Sequence, residues 1–199
     1  VVVIPWIHSD TLSCYKTAMV NSGAWNAAVA VNDKISEFAS QQHQKKAVVH
    51  IPNGLDFPDL KKMTRQRSDT GKLTLCYLGR LAQHPKNIFS LADILSRVST
   101  EIPDVTLNVM GDGADRKRLE DRFNKLGLMS HVIFHGAIPN REVFEILSQS
   151  HVLLLPSVTE AMPCAPIEAQ FCGCVPIASK LPGVTDTIID DGKSGILVD

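Results

Sequence analysis

Two glutamates flank the predicted start of a helix in the segment HVLLLPSVTEAMPCAPIEAQFCGCVPIAS. Glu160 precedes the helix and Glu168 lies within it, an E-x7-E spacing in which seven residues separate the two. A helix start offers free backbone N–H groups and the positive end of a dipole, which together favour an anion such as a phosphate. Carboxylates accept hydrogen bonds from hydroxyl groups. The pattern predicts a ligand with both phosphate and hydroxyl groups, such as a nucleotide sugar.

Both carboxylates also have a simpler interpretation. Glu160 could be a favourable charge near a helix start, and Glu168 a solvated helix residue. Glu168, however, is surrounded in the sequence by Ile167, Ala169 and Phe171. An unpaired carboxylate is costly in such an apolar segment, which favours a carboxylate directed at a ligand.

Two cations follow the first strand of the larger unit. Arg80 ends the sequence YLGR, and Lys86 comes six residues later, before a helix. Both are expected at the ligand-facing edge of the sheet, where Arg would hold a diphosphate through paired N–H donors and Lys as a point charge. The alternative is two ordinary surface charges.

Two further strand ends are predicted at the same edge. Gly111 and Gly113 match the first two glycines of a dinucleotide fingerprint, but Arg116 occupies the third position. They indicate either a close approach of the backbone to a ligand or a tight turn. In FHGAIP, His135 is either a catalytic side chain or a residue whose backbone contacts a base.

Several kinds of chemistry are disfavoured. The sequence has no D-x-D triplet, no metal-ligand spacing, no G-x-S-x-G and no P-loop, so we expect no metal and no cofactor. A net charge of −1 gives no reason to expect nucleic acid as a partner. The cysteines are odd in number, and Cys172 and Cys174 are expected to pack between a helix and a strand rather than to form a redox pair.

From Lys72 onward, short apolar runs alternate with helical patterns. Strands are predicted at 73–78, 105–110, 132–134, 152–155, 175–178 and 195–198, and helices at 87–99, 114–126, 141–148 (with Asn140 as its cap), 163–172 and 184–189. The alternation predicts an α/β fold, a Rossmann-like parallel sheet with helices on both faces. Ligands of such sheets bind beyond the carboxyl ends of the strands.

Residues 1–58 are predicted to form part of a separate unit. Strands are predicted there at 1–4, 27–31 and 47–51, and helices at 11–22 and 33–42. Residues 59–71 are predicted to be a linker, whose lysines and arginines are expected to be solvated rather than to bind a membrane or a phosphate. Residues 72–199 form the second domain in this interpretation.

Five motifs carry a family resemblance. In order, YLGRLAQHPKN, VMGDGADRKRLE, VIFHGAIP, LLLPSVTEAMPCAPIEAQFCGCVPIAS and DDGKSGILVD resemble the donor-binding half of retaining glycosyltransferases with the GT-B fold, of the family 4 (group 1) type. IPNGLDF is similar to the segment where such enzymes pass between their two domains. The resemblance implies that residues 1–58 are the tail of an acceptor domain and 72–199 the nucleotide-sugar domain, with sequence absent at both ends.

The resemblance also implies roles for single residues. Arg80 and Lys86 would bind the donor diphosphate and stabilise it as it leaves, Glu168 would bind the ribose hydroxyls, and Glu160 would lie beside the transferred sugar. The other donor contacts that it implies are Met162, Pro163, Cys164, Ala165, Gly111, Gly113, the segment from His135 to Ile138 facing the base, and His8 from the first domain. Because Pro163 has no N–H, a phosphate contact there must come from Cys164 or Ala165.

One departure concerns the residues after the first glutamate. The family commonly has glycine and an aromatic residue there, whereas this sequence has Ala161 and Met162. Ala161 narrows the room for a close backbone approach, and Met162 alters the sugar pocket. The departure bears on the identity of the donor more than on the type of reaction.

The resemblance implies a hexosyltransferase that moves a sugar from a UDP- or GDP-linked donor to a hydroxyl of a saccharide or lipid-linked acceptor, with retention. It implies a cytoplasmic protein in surface polysaccharide or glycolipid synthesis, with peripheral association at the inner face of the membrane through the absent part of the first domain. The 199 residues alone are expected to be inactive. The alternatives are a GT-B nucleotide-sugar epimerase and a non-catalytic nucleotide-binding module.

Overall fold

The computed structural model describes residues 4–7, 23, 25–42, 46–58 and 71–199. A small unit contains β1 (Trp6–Ile7), β2 (Ala27–Ala30), α1 (Asp33–Gln42) and β3 (Ala47–His50). A larger unit contains β4 (Leu73–Leu78), α2 (Gln83–Lys86), α3 (Ser90–Glu101), β5 (Val105–Met110), α4 (Arg116–Lys125), β6 (Val132–Gly136), α5 (Asn140–Gln149), β7 (Val152–Leu155), α6 (Cys164–Phe171), β8 (Val175–Ser179) and β9 (Ile196–Val198). Single 3₁₀ turns occur at Met129–His131 and Thr185–Thr187.

Each unit has its own parallel sheet. The small sheet has the order β1-β2-β3, and the large sheet has the order β6-β5-β4-β7-β8-β9. The first three strands of the large unit are added in one direction and the last three in the other, so the strand order reverses between β4 and β7. In open parallel sheets a ligand crevice forms outside the carboxyl ends of the strands at this reversal.

The large sheet is covered by helices on both faces, as predicted. Side chains alternate between the two faces along each buried strand, so both faces present apolar residues that helices must cover. On one face, Leu75 and Tyr77 of β4 pack with Leu91 of α3 and Phe123 of α4. On the opposite face, the neighbouring Cys76 packs in a second cluster. That cluster also contains Leu153, Leu147 and Ala169, from β7, α5 and α6.

Most predicted elements of the large unit are confirmed, and two helix starts are corrected. Asn87 adopts a left-handed conformation (φ 51°), so the helix predicted from 87 begins at Ser90 instead. Asn140 is not the cap of α5: Pro139 (φ −61°, ψ 149°) occupies the cap position and Asn140 is the first helical residue. The helix predicted at 184–189 is only the 3₁₀ turn Thr185–Thr187.

In the first part of the chain, the helix at 33–42 and the strands near 27–31 and 47–51 are confirmed. Of the strand predicted at 1–4 only Ile4 is described, and the observed strand lies at Trp6–Ile7. The helix predicted at 11–22, and the linker 59–71 apart from Gly71, lie outside the described residues. The domain boundaries remain a prediction.

The segment between the two units is held against the large one by aromatic packing. Phe57 stacks on Phe171 at the end of α6, with ring centroids 4.3 Å apart, and meets Phe144 of α5 edge-on at 6.1 Å. No helix in the described part of the chain is long and apolar enough to cross a membrane.

Candidate functional site

A cleft of about 260 Å³ lies at the carboxyl ends of β4 and β7, where the strand order reverses. Its walls come from the end of β4, the loop between β7 and α6, and the first turns of α5 and α6. The lining residues are Leu78, Gly79, Lys86, Asn140, Val143, Leu155, Glu160, Met162, Pro163, Cys164, Ala165 and Glu168. The predicted ligand-facing edge of the sheet therefore carries a cleft in this structure.

Lys86 and Glu160 form an ion pair in this cleft. Lys86 Nζ donates to Glu160 Oε1 at 2.6 Å, and the two side chains are only 18% and 9% exposed. Ser157, which is fully buried, donates from its Oγ to the same oxygen at 2.6 Å. One carboxylate oxygen is thus occupied by two donors, and Glu160 remains able to accept a hydrogen bond through the other.

Glu168 lies one turn into α6, and its side chain accepts no hydrogen bond from the described residues. It is half-buried, and burial raises the pKa of its carboxyl group above the ordinary value. α6 begins at Cys164, so the N–H groups of Cys164 and Ala165 have no partner within the helix. Pro166 lacks an N–H as Pro163 does, which leaves those two groups as the donors of the first turn.

Cys164 lines the same wall as Glu168. The pKa of its thiol is raised, first by burial and then by the nearby Glu168 carboxylate, while a hydrogen bond from the Asn53 side chain lowers it. Burial and the Glu168 carboxylate therefore disfavour the thiolate form of Cys164, in contrast to a cysteine activated by a helix N-terminus.

Backbone packing holds the turn after β4. Tyr77 Oη donates to the carbonyl of Arg80 at 2.9 Å, directly below Gly79. Gly111 (φ 127°) approaches the same turn so closely that an added Cβ would lie 2.0 Å from the carbonyl oxygen of Gly79. At Gly113, an added Cβ would lie 2.3 Å from the carbonyl oxygen of Leu81. These glycines therefore allow two loops to pack against each other, whatever their role toward a ligand.

The remaining predicted contacts lie outside the cleft lining. Arg80 is exposed, one residue beyond Gly79. The His135 side chain is tied up within the sheet, since its Nε2 lies 2.8 Å from Asn108 Oδ1, and burial lowers the pKa of its imidazole. Ile138 packs in the core cluster of α5 and α6. His8 falls outside the described residues.

The structure thus groups seven of the predicted residues around one cleft: Lys86, Glu160, Met162, Pro163, Cys164, Ala165 and Glu168. Sequence reasoning missed Ser157 and Asn140 as part of this region. A serine three residues before a glutamate has no distinctive signal of its own, and the sequence predicts Asn140 only as a helix cap.

Two asparagines of the first 58 residues also contact the loop after Glu160, and the sequence signals neither of them. Asn32 Nδ2 donates to the carbonyl of Ala161. The backbone N–H of Asn53 donates to the sulfur of Met162 at 3.0 Å. The two unusual residues after the first glutamate therefore both face the small unit, against whose core they also pack.

Among the described residues, no group of three or more His, Cys, Asp and Glu side chains could hold a metal ion. Cys172 and Cys174 are buried in the core cluster with Cys76. The Cys76 and Cys174 sulfurs are 3.9 Å apart, and burial raises the pKa of Cys76. The expectation that these cysteines pack in the core is confirmed.

Solved structures of the same architecture hold nucleotides and sugars. The chain superposes on a point mutant of S. aureus TarM, solved with fondaparinux, alpha-GlcNAc-glycerol and UDP, with a TM-score of 0.82, covering 97% of this chain and 39% of that one at 15% identity. It superposes on Anabaena Alr3699/HepE, solved with UDP-glucose, with a TM-score of 0.77, covering 99% and 58% at 18% identity. These identities establish the shared GT-B fold alone.

Relatives of known activity are similar in sequence. The chain is 32% identical over 144 residues to a subunit of the Arabidopsis thaliana phosphatidylinositol N-acetylglucosaminyltransferase, covering 72% of this chain and 32% of the relative. It is 29% identical over 179 residues to the GDP-mannose-dependent alpha-(1-6)-phosphatidylinositol monomannoside mannosyltransferase of Mycolicibacterium smegmatis, covering 82% and 46%. The chain therefore spans between about a third and a half of these relatives. Residues 59–199 match the family described as glycosyl transferases group 1, and the chain belongs to that family.

Proposed function

We propose that the whole protein is a retaining glycosyltransferase of family 4, which moves a hexosyl group from a UDP- or GDP-linked donor to a hydroxyl acceptor. The observation that carries the proposal is the cleft between β4 and β7, where Lys86 and Glu160 meet and Glu168 lies by the start of α6. A cation, two helix N–H groups and two carboxylates match the phosphates and hydroxyls of a nucleotide sugar.

The diphosphate is the group whose charge grows as the sugar leaves. Lys86 and the N–H groups of Cys164 and Ala165 would stabilise that charge, and Arg80 would approach from the adjacent turn. This arrangement would need no metal ion. Glu168 would accept hydrogen bonds from the ribose, because its carboxylate is half-buried and has no hydrogen-bond partner in the described structure.

Glu160 would orient the transferred sugar through the carboxylate oxygen that Lys86 and Ser157 leave open. Because Lys86 and Ser157 both hold the Glu160 carboxylate, we give Glu160 this positioning role and not that of a general base. We therefore assign deprotonation of the acceptor hydroxyl to the leaving phosphate. As the bond between the anomeric carbon and the phosphate oxygen breaks, the acceptor oxygen would bond to that carbon on the same face of the sugar, and its proton would pass to the phosphate, which gives retention.

The acceptor is proposed to be a saccharide or a lipid-linked hydroxyl, in the synthesis of a surface polysaccharide or a glycolipid. Two relatives support this assignment, since their names give phosphatidylinositol and a phosphatidylinositol monomannoside as acceptors. A cytoplasmic location, at the inner face of the membrane, is part of the same proposal.

Ligand-observed NMR of the chain with UDP, GDP, CMP, ADP and NAD tests the donor site. We expect one of UDP and GDP to bind, and Glu168→Ala and Lys86→Ala to weaken binding. Glu145→Ala is the matched control, since Glu145 lies on the exposed face of α5. Failure of both UDP and GDP to bind would exclude the proposed donor site.

The reaction itself is tested on the full-length protein with UDP-GlcNAc, UDP-glucose and GDP-mannose. Transfer gives a glycosylated acceptor and a free nucleoside diphosphate, and NMR of the new anomeric proton shows whether configuration is retained. An epimerase would instead convert the donor without an acceptor, and a non-catalytic module would leave the donor unchanged.

A further inference from the structure

Contacts from the first 58 residues of the chain converge on three residues that follow Glu160: Ala161, Met162 and Cys164. Asn32 donates to the carbonyl of Ala161, and Asn53 donates to the sulfur of Met162 from its backbone and to Cys164 from its side chain. Ala161 and Met162 also pack against the core of the small unit. One wall of the cleft is therefore held by residues from the first 58 residues of the chain.

Asn32 is the most constrained of the contacting residues, because both polar groups of its side chain form hydrogen bonds. Its Oδ1 accepts from the backbone N–H of Ile35 at 2.7 Å, which is the N-cap bond of α1. Because the cap fixes that oxygen, the amide NH₂ group can point only toward the loop, where it meets the Ala161 carbonyl. The residue is 6% exposed, so both the oxygen and the NH₂ group of the amide form their hydrogen bonds away from solvent.

We propose that Asn32 is a positioning residue, which links the start of α1 to the loop after Glu160 and thereby fixes the wall of the cleft. The inference rests on the proposed function only in identifying this cleft as the donor site. A residue that merely capped α1 would need an acceptor oxygen and no donor. The amide NH₂ is the part of Asn32 that the cap does not explain.

Variants at Asn32 separate the two roles. Asn32→Asp keeps the shape and the capping oxygen but places a second acceptor against the Ala161 carbonyl. Asn32→Ser keeps a capping oxygen without adding charge, and its short side chain loses the contact with the loop. Ile35→Val is the matched control, because it removes one methylene from the core of the small unit and leaves both hydrogen bonds of Asn32 in place.

The readout is the rate at which N-ethylmaleimide labels Cys164, followed by peptide mass spectrometry on the folded chain. Cys164 is half-buried at the first position of α6, directly after the loop, whereas Cys76, Cys172 and Cys174 are buried in the core and serve as internal references. We expect Asn32→Asp and Asn32→Ser to label Cys164 roughly 2- to 10-fold faster than wild type, the range that losing one hydrogen bond gives. Ile35→Val should label at the wild-type rate. Wild-type labelling rates in both Asn32 variants, with their folds intact by circular dichroism, would overturn the inference.

Binding of UDP and GDP to the same proteins gives a second readout. If Asn32 positions the loop, the nucleotide that wild type binds should bind several-fold more weakly to both Asn32 variants and normally to Ile35→Val. Equal affinity in all four proteins would contradict a role in the donor site. If wild type binds neither nucleotide, the proposed function fails, and the labelling rates still decide whether Asn32 holds the loop.

Discussion

The ion pair between Lys86 and Glu160 can be tested without any ligand. Lys86→Met would leave the Glu160 carboxylate in the cleft wall, where Ser157 would be its remaining hydrogen-bond donor among the described residues. Removing one partner of a buried pair costs about 3–5 kcal/mol, because the other charge stays buried without compensation. Since the Lys86 side chain keeps 18% exposure, we expect a loss near the lower end, about 3 kcal/mol.

The assay is a double-mutant cycle with Lys86→Met, Glu160→Gln and the combined variant, measured by thermal and urea unfolding. A loss of 1 kcal/mol lowers Tm by about 2–4 °C in a domain of this size, so Lys86→Met should lower Tm by roughly 6–12 °C. Glu160→Gln should cost less, because the flexible Lys86 side chain can extend toward water. The combined variant should be more stable than Lys86→Met alone.

The matched control is the exposed pair of Arg141 and Glu145, whose side chains are 89% and 56% exposed. The same cycle there should give a coupling below about 0.5 kcal/mol. If Lys86→Met unfolds within about 0.5 kcal/mol of wild type, as an ordinary surface substitution would, the carboxylate is not held as the structure indicates.

Three further predictions concern the cleft and the turn after β4. Glu168→Gln should stabilise the fold at pH 7 by up to about 1 kcal/mol, because burial raises the folded-state pKa of the Glu168 carboxyl. The cost of ionising Glu168 begins as the pH rises past the unfolded-state pKa and is complete above the folded-state pKa, so the gain should vanish below about pH 4. Thermal unfolding from pH 4 to 8 measures this, and a stabilisation that grows on acidification would contradict the sign. Tyr77→Phe should cost about 1 kcal/mol in urea unfolding, because it removes only the hydrogen bond to the Arg80 carbonyl; an unchanged midpoint would mean that the hydroxyl is not needed there. Gly111→Ala should lower the free energy of unfolding, measured with urea, by roughly 3 kcal/mol, because the added Cβ would overlap the Gly79 carbonyl. Gly127→Ala is the control: it has open space around the added Cβ, so it should cost only about 1 kcal/mol of stability for its positive φ.

The fold of the large unit was predictable because its strands are apolar runs of the length that buried parallel strands require. Leu73–Leu78, Val105–Met110 and Val152–Leu155 have the predicted bounds. The helix starts were less predictable, because they depend on one backbone angle. The left-handed conformation of Asn87 and the extended conformation of Pro139 each shift the first residue of a helix, and hydrophobic periodicity does not predict such backbone angles.

The site was predictable in part. Glu160 and Glu168 could be placed together because they flank one helix start, and Lys86 joins them because parallel strands end at one edge. Ser157 could not be found, since a buried hydroxyl leaves no periodic signal. Asn32 could not be found either, because its partner is 129 residues away in the chain.

These contacts form a continuous series from the small unit to the cation of the cleft. Asn32 holds the carbonyl of Ala161, Ala161 follows Glu160 in the chain, and Glu160 holds Lys86. Among the residues that the structure describes, Lys86 is the one cation lining the cleft, and Glu160 already neutralises it while Glu168 adds a further carboxylate. The lining would therefore attract the proposed diphosphate only weakly through net charge. Binding would depend on donors held in position beforehand, and the loop that we propose Asn32 to fix would supply that order by keeping both Lys86 and the start of α6 in place.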